Sequence, residues 1–530
     1  MADDQEIEVK KNVEGIEEGF NETNTSTNLE LTVNEIIEQH VGSFGLSQLL
    51  QVFLVSLAWV FDAHNTLVTV FTDSQPAWKC KVAASSSCSL SAGMCGLAPG
   101  TWDWVGGHKS STIAEWGLIC GHKFRAGVPA SMYFIGSLFG SITQGQLADM
   151  YLGRKKTIVL SCLLTAITSF LTSFSPNVWV YAFLRFTNGF ARSGIGICCL
   201  VLSTEAVGRK WRGQVGNYGF FFYALGFLSL PLIAYTSRTS WRNIYRIISL
   251  FPLIYSFFLT PFISESPRWL ILKGRTDEAM QVLNKLAKFN GNKLPKNLTI
   301  INPSVTVNST KTKKLWSVSW AAKRMVALMV AGFGVGFVYY GVQLNVENLN
   351  FNLYYTVAAN ALMEIPAVLI GSVLLGCMDR RVIFSSASIL AGVSSILCIL
   401  FAKKNKSKRG WGQLGLEAVG FMTASMAFDV LYIYCAELFP TNVRNFSVSM
   451  LRQTLMLGGA IAPVLVVVGR LSPAFSFLVF GVLAIFSGVV TVWLPETKHA
   501  PLYETFEQQE KEEKLGASSD GVEMVESTRS

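Results

Sequence analysis

The sequence predicts an all-α membrane protein whose twelve transmembrane helices form two pseudo-symmetric six-helix bundles. Three observations lead there. Charged residues make up 15% of the 530 residues and apolar ones 50%, against roughly 25% charged in soluble globular chains. The apolar residues gather into twelve runs, each long enough for a hydrocarbon core of about 30 Å. Landmarks then recur in register: Asp149 with Asp379, Glu205 with Glu437, Arg212 with Arg444, Glu265 with Glu496, and Gly189 with Gly420 all stand at nearly the same separation along the chain. Landmarks in step at one offset mean that the chain contains the same unit twice, a common plan for membrane carriers.

Residues 1–45 are polar and acidic and lack a basic n-region followed by an apolar h-region, so they read as a mobile cytosolic tail and not as a signal peptide. Six spans follow within residues 46–263: Leu46 to Phe71, Phe124 to Leu147, Thr157 to Ser175, Val178 to Leu202, Val215 to Thr236 and Ile244 to Ile263. Residues 264–324 form a basic linker. It begins with the amphipathic stretch RWLILKGRTDEAMQVLNKLAKF and continues as a polar tether from Gly291 to Lys314. The second bundle, residues 325–494, holds Met325 to Val346, Leu353 to Leu375, Val382 to Ala402, Leu414 to Cys435, Phe446 to Val468 and Pro473 to Leu494; residues 495–530 are a hydrophilic tail.

An even number of spans puts both termini on one side. The turns two-three, four-five, six-seven and eight-nine carry the bases, which makes that side cytosolic by the positive-inside rule. One loop, Lys403 to Arg409, opposes the rule, and the repeat register retains the spans around it. The long extracytosolic loop, residues 72–123, holds Cys80, Cys88, Cys95 and Cys120. Four cysteines in an oxidising compartment imply two disulfides in one of three pairings. A zinc site is disfavoured because no CxxC spacing occurs.

Several stretches together are similar to the major facilitator superfamily: the GQLADMYLGRKK turn at Gly145 to Lys156, RFTNG at Arg185 to Gly189, SESPRWL at Ser264 to Leu270, AELFPTNVR at Ala436 to Arg444, and LPETK at Leu494 to Lys498. STIAEWGLIC at Ser111 to Cys120, EIP at Glu364 to Pro366 and the cysteine-bearing loop resemble its organic cation/carnitine transporter branch. SLAWVFDAHN at Ser56 to Asn65 resembles the plant members. The resemblance implies that the turn residues Asp149, Gly153, Arg154, Lys155, Glu205 and Arg212, with their repeats Asp379, Arg380, Arg381, Glu437 and Arg444, form a conformational gate. Here Met150 replaces the usual base and one extra residue precedes Gly153, so the Asp-Arg clamp of the turn must be remade by Arg154 or another base.

Charges within spans cost about 2.5 to 3.5 kcal/mol each on insertion scales, so they face a cavity or a partner. Apart from charges at span ends such as Arg246 and Glu417, they are Asp62, Glu364, Asp429, Arg185, Arg192 and Arg452. Asp62 is expected to be the proton-sensitive group. The resemblance to proton-driven sugar porters implies Arg185 in the fourth span as its partner. Glu364 either satisfies backbone groups freed by Pro366 or binds ligand. Asp429 with Tyr432, and Tyr339 with Tyr340, supply the carboxylate and aromatic faces that an ammonium group needs. In the eleventh span, the place where the resemblance implies an acid for cation carriers or an arginine for carnitine carriers is held by Met456. Arg452 lies one turn earlier and lines the cavity or serves packing.

The chain is thus expected to be a secondary carrier for a small organic cation or zwitterion, carnitine-like, choline or polyamine-like, working by alternating access. Protons are a candidate coupling ion. The partners expected are the solute and membrane lipid, with no cofactor, no metal, no nucleic acid and a monomeric state; no nucleotide loop or nucleophile-base pair suggests an enzyme. An organic anion or sugar carrier and a transporter-like receptor are the alternatives. The tails contain no acidic dileucine signal, which favours the plasma membrane over the vacuolar one.

Overall fold

The computed structural model describes residues 29–81, 94–97, 100–295, 297–300, 315–349, 351–402, 410–498 and 506–511. Twelve long helices account for most of it: α1 Leu46–Thr72, α2 Val128–Leu147, α3 Arg154–Thr172, α4 Val178–Glu205, α5 Arg209–Thr236, α6 Trp241–Phe262, α7 Ser319–Asn348, α8 Leu353–Cys377, α9 Arg380–Ala402, α10 Gly410–Leu438, α11 Thr441–Gly469 and α12 Pro473–Trp493. Eleven of them are long and apolar enough to cross a membrane among the described residues. The twelfth, α2, is a 20-residue helix diluted by Ser131, Ser137, Ser141, Thr143 and Gln144. Starts are set by local chemistry. The Asn177 carboxamide oxygen accepts from the backbone N–H groups of Trp179 and Val180, both at 3.0 Å, and opens α4.

The repeat seen in the sequence is realised in packing. In the first half α2 and α3 pack on α4, α1 on α5, and α3 on α6; the same pairs recur six helices later, α8 and α9 on α10, α7 on α11, and α9 on α12. The halves meet where α2 packs against α11 and α5 against α8. Large side chains such as Phe183, Leu232, Phe257, Leu369 and Val373 remain exposed on the periphery. An apolar rim around a polar interior is what lipid selects, since lipid offers side chains no hydrogen-bond partner.

Backbone approach is closest where α2 crosses α4. A Cβ added to Gly189 would stand 1.9 Å from the Tyr133 carbonyl oxygen, and one on Gly136 2.0 Å from that of Phe186. Only glycine permits that distance, which is the small-residue logic of helix contacts in membranes. Gly226 against Val60 and Gly458 against Phe333, at corresponding places in the two halves, play the same part in α1–α5 and α7–α11.

Below the bundle, the expected mobile tail and tether are corrected in part. β1 (Leu29–Leu31) pairs in parallel with a strand at Leu298–Ile300, Leu31 opposite Ile300. Val33, Ile36, Ile37 and Val41 bury an apolar face against Trp269, Leu270, Leu283, Leu286 and Ala287 of the linker. Asn290 locks the assembly, donating to the Val41 carbonyl at 2.9 Å and accepting from the Ser47 N–H at 2.8 Å. The amphipathic stretch, helical over Thr276–Phe289, therefore has a partner. Composition hid this because β1 is so short. Residues 506–511 are also helical, with Phe506 buried against Trp320 at 5.7 Å. Cys88, the Lys403 to Arg409 loop and residues 301–314 lie outside the described residues.

Gly189→Ala should lower the thermal midpoint of the detergent-purified protein by about 1–3 °C, from an overpacking cost of roughly 1–3 kcal/mol. Gly213→Ala, at a position with nothing within 4 Å, should leave it unchanged. Equal midpoints in a thermal-shift assay would mean that α2 and α4 do not cross this closely.

Candidate functional site

Polar groups buried on α1 must be met by polar groups on α4, because lipid supplies none. Asp62 forms an ion pair with Arg192 at 2.6 Å, the two side chains 0% and 4% exposed. Arg192 also donates to the Thr66 hydroxyl at 3.1 Å, which in turn donates to the Asp62 carbonyl at 2.8 Å and contacts the Tyr133 hydroxyl at 2.9 Å. Arg185, the partner expected for Asp62, is elsewhere. Its guanidinium donates to the Asn65 carbonyl at 2.9 Å and lies 4.1 Å from the Tyr133 ring centre. The reason is register. Helices α1 and α4 run in opposite directions, so Arg192 is level with Asp62, whereas Arg185, two turns or about 10 Å along the axis, meets α1 further on, at the Asn65 carbonyl.

Arg452 reaches across from the second half. A Cβ on Gly196 of α4 would fall 2.3 Å from its Nη2, so the guanidinium rests on the helix that carries Arg192, one turn away. Asp62 feels both cations. Arg452 therefore lines the seam between the halves. Met456, one turn on, is buried in the same cluster as Tyr339 and Tyr340.

The second half presents the opposite chemistry. Tyr339 donates a short hydrogen bond to Glu364 across from α7 to α8, and the other carboxylate oxygen of Glu364 is buried without a partner among the described residues. Helix α8 runs on through Pro366, and Glu364 faces another helix instead of serving its own backbone. Half-buried Asp429 lies within the electrostatic reach of Glu364. Around these acids the rings close up: Tyr339 to Phe428 at 4.7 Å, Phe428 to Tyr432 at 5.4 Å, Tyr339 to Tyr340 at 5.1 Å, and Phe134 of α2 to Tyr340 at 4.6 Å. Sequence reasoning missed Phe134 and Phe428. Phe428 shares a helical stripe with Tyr432, one turn on, and that spacing was the available signal.

At the linker end each half carries its own charge cluster. Arg154 sits between Asp149 at 2.9 Å and Glu205 at 3.6 Å, so it is the base that remakes the clamp of the turn. The extra residue is absorbed by a π-helical turn over Ala148–Leu152 and by Gly153 at φ 84°. Glu265 accepts from the N–H groups of Arg154 at 2.9 Å and Lys155 at 3.1 Å, capping α3. The second half repeats this. Arg380 pairs with Glu437 at 3.0 Å, and Glu496 accepts from the N–H groups of Arg380 at 2.9 Å and Arg381 at 3.0 Å. Burial pushes the Glu496 carboxyl up, but these N–H groups and those of Thr497 and Lys498 outweigh it and hold it below its usual range. Arg212 departs from the pattern by donating to Asn34 of the tail at 2.8 Å. Arg444 is half-buried within reach of Glu437, and the Asp379 carbonyl accepts from Ile383 at 3.0 Å where α9 begins.

The opposite end carries the long loop. Cys95 is bonded to Cys120, and Cys80 is also disulfide-bonded. Glu115, from the STIAEW stretch, accepts from Trp241 at 2.7 Å and Arg242 at 2.6 Å and so fastens the loop to the start of α6. Here the halves are tied directly. Arg470, just after α11, pairs with Glu347 of α7 at 2.5 Å and donates to the Asp73 carbonyl at 2.8 Å, while Glu347 accepts from the Gln75 N–H at 3.3 Å. Sequence reasoning passed over Asp73, Glu347 and Arg470, since charges at span ends are ordinary.

A family model described as sugar (and other) transporter matches residues 76–508. Organic cation/carnitine transporter 3 of Arabidopsis thaliana is 44% identical over 503 residues, covering 93% of this chain and 96% of the relative. Solute carrier family 22 member 3 of Mus musculus is 32% identical over 466 residues, 87% of this chain and 80% of that one. Among solved structures, the partially occluded inward open conformation of the xylose transporter XylE from E. coli superposes with a TM-score of 0.61 at 13% identity, covering 86% of this chain and 99% of that one, a likeness of fold. The chain belongs to the sugar (and other) transporter family of the major facilitator superfamily, in the branch of the organic cation/carnitine transporters.

Proposed function

We propose that the chain is a secondary carrier that moves a small organic zwitterion or cation across a membrane by alternating access between its two halves. The observation that carries this reading is that buried groups of both charges meet at the seam. Arg192 of the first half and Arg452, reaching over from the second, surround a single acid, and Glu364 and Asp429 of the second half lie beside Tyr339, Tyr340, Phe428 and Tyr432. An ammonium group gains from carboxylate and ring faces once its water is removed. A carboxylate on the same solute gains a planar guanidinium. A carnitine-like molecule has both, and the named relatives are organic cation/carnitine transporters.

On this reading Glu364, Asp429, Arg452, Met456 and the tyrosines line the solute site, and Asp62 with Arg192 is the candidate proton-coupling pair. The linker-end clusters Asp149–Arg154–Glu205 and Arg380–Glu437, with Gly153, Lys155, Arg212, Asp379, Arg381 and Arg444, form the gate. The carrier acts as a monomer in the plasma membrane. Residues 1–45, 264–324 and 495–530 are cytosolic, residues 46–263 and 325–494 are the two bundles, and residues 72–123 lie outside, since the linker end carries the bases.

Three expected outcomes test this. In proteoliposomes, Glu364→Gln should reduce uptake of both choline and carnitine by about 10- to 100-fold, the loss of one charge-assisted contact of roughly 1.5–3 kcal/mol. Arg452→Ala should reduce carnitine uptake about tenfold more than choline uptake, and equal losses would return Arg452 to a packing role. Separately, an epitope inserted at Gly107 should be labelled in intact cells, and epitopes at either terminus only after permeabilisation. The opposite pattern would invert the topology.

A further inference from the structure

Asp73 follows α1 at the long-loop end and is turned inward, 6% exposed, with its N–H donating to the Thr69 carbonyl at 2.9 Å. One carboxylate oxygen accepts from three hydroxyls, Thr112 of the loop at 2.9 Å, Tyr181 of α4 at 3.0 Å and Thr72 at 3.1 Å. The other has only Tyr181, at 3.3 Å. Tyr181 is itself 2.7 Å from the Tyr245 hydroxyl of α6. The charged groups around this carboxyl are Arg185 on α4, within electrostatic reach, and Arg470 with Glu347 from the second half, which meet Asp73 through its carbonyl. Thus the residue that buries a carboxyl in the first half also holds, on its backbone, the arginine that ties the second half to it. The seam here is tight: a Cβ on Gly127 of the first half would stand 3.1 Å from the Pro463 carbonyl of α11.

We propose that Asp73 is a proton-binding site facing the long-loop side, and that taking up one proton is what lets the two halves close over it through Arg470 and Glu347. The proton comes from water in the open cleft, adds to the carboxylate oxygen that has a single hydrogen bond, and is held while the clamp is shut. Burial pushes the Asp73 carboxyl up, and the hydroxyls of Thr112 and Tyr181 and the Arg185 guanidinium only partly offset this, so that it titrates at about 6 when closed. In a hydrated open cleft a carboxyl titrates near about 4. The sign follows from linkage. The closed form has the higher pKa and binds the proton more tightly, so acidification from above pH 6 towards pH 4 favours closure, and above pH 6 closure must bury a charge. A difference of about two pKa units corresponds to at most about 100-fold in the closure equilibrium.

The inference rests on alternating access but on no choice of solute, and its test uses none. Ala130 lines the cleft between Asp73 and Glu347, so an Ala130→Cys thiol should react with a membrane-impermeant reagent from the long-loop side only when that end is open. Its rate is compared with that of Ala130→Cys/Asp73→Asn at the same pH, which cancels the thiol's own pH dependence. Asparagine is a neutral mimic of the protonated acid, so the parent should react up to about 100-fold faster at pH 7.5, and the ratio should fall with a midpoint near 6 to about fourfold at pH 4.5, approaching one only below about pH 4. A ratio that does not vary with pH overturns the proposal. Thr112→Ala covers the case in which the Asp73→Asn protein fails to fold: removing a donor to the charged form should move the midpoint of the Ala130→Cys rate to higher pH, and an unmoved midpoint also overturns it. Failure of carnitine or choline uptake would bear on the solute assignment and leave this result standing.

Discussion

One ion pair fixes the interior of this carrier. Asp62 and Arg192 lie 2.6 Å apart and almost fully buried at mid-helix. Removing one partner of such a pair leaves an uncompensated charge and costs about 3–5 kcal/mol, so α1 and α4 are held in the register that aligns them. From that register the remaining contacts follow. Arg185 is carried up to the Tyr133 ring and the Asn65 carbonyl, and Thr66 bridges both helices. Gly196 is left open one turn below Arg192, where Arg452 of the other half lies.

The two ends of the bundle are built on different principles. At the linker end the strong charged contacts of the gate clusters among the described residues are within one half: Arg154 with Asp149 and Glu205, Arg380 with Glu437, and Glu265 and Glu496 capping α3 and α9. At the long-loop end, Arg470 joins α7, the end of α11 and the end of α1. Contacts within a half are kept when the halves rock against each other, and contacts between halves must break. Alternating access on the reading proposed here therefore loosens the Arg470 contacts while the capping carboxylates move with their own halves.

The repeat was legible because it is written in charged residues at fixed spacing, and Glu265 and Glu496, equivalent in that repeat, turn out to cap α3 and α9 in the same way. The tyrosines and the two acids beside them were legible as rare polar groups in apolar runs. Three things were not. The partner of Asp62 depends on the relative sliding of two antiparallel helices, which a one-dimensional spacing of Arg185 and Arg192 does not contain. The docked tail depends on a very short strand, Leu29–Leu31, that pairs with a segment at the far end of the linker, too brief to show a period. The Arg470 clamp is built from residues at helix ends, where a charge has ordinary reasons to be.

The most direct measurement is a pair of double-mutant cycles on thermal or denaturant stability, one for Asp62→Asn with Arg192→Gln and one for Asp62→Asn with Arg185→Gln. A buried pair predicts that the Asp62–Arg192 double variant recovers a large share of the single losses, a coupling of about 2–3 kcal/mol, while the Asp62–Arg185 cycle is additive to within about 0.5 kcal/mol. Coupling confined to Arg185, with additivity at Arg192, would contradict the register on which the site is built.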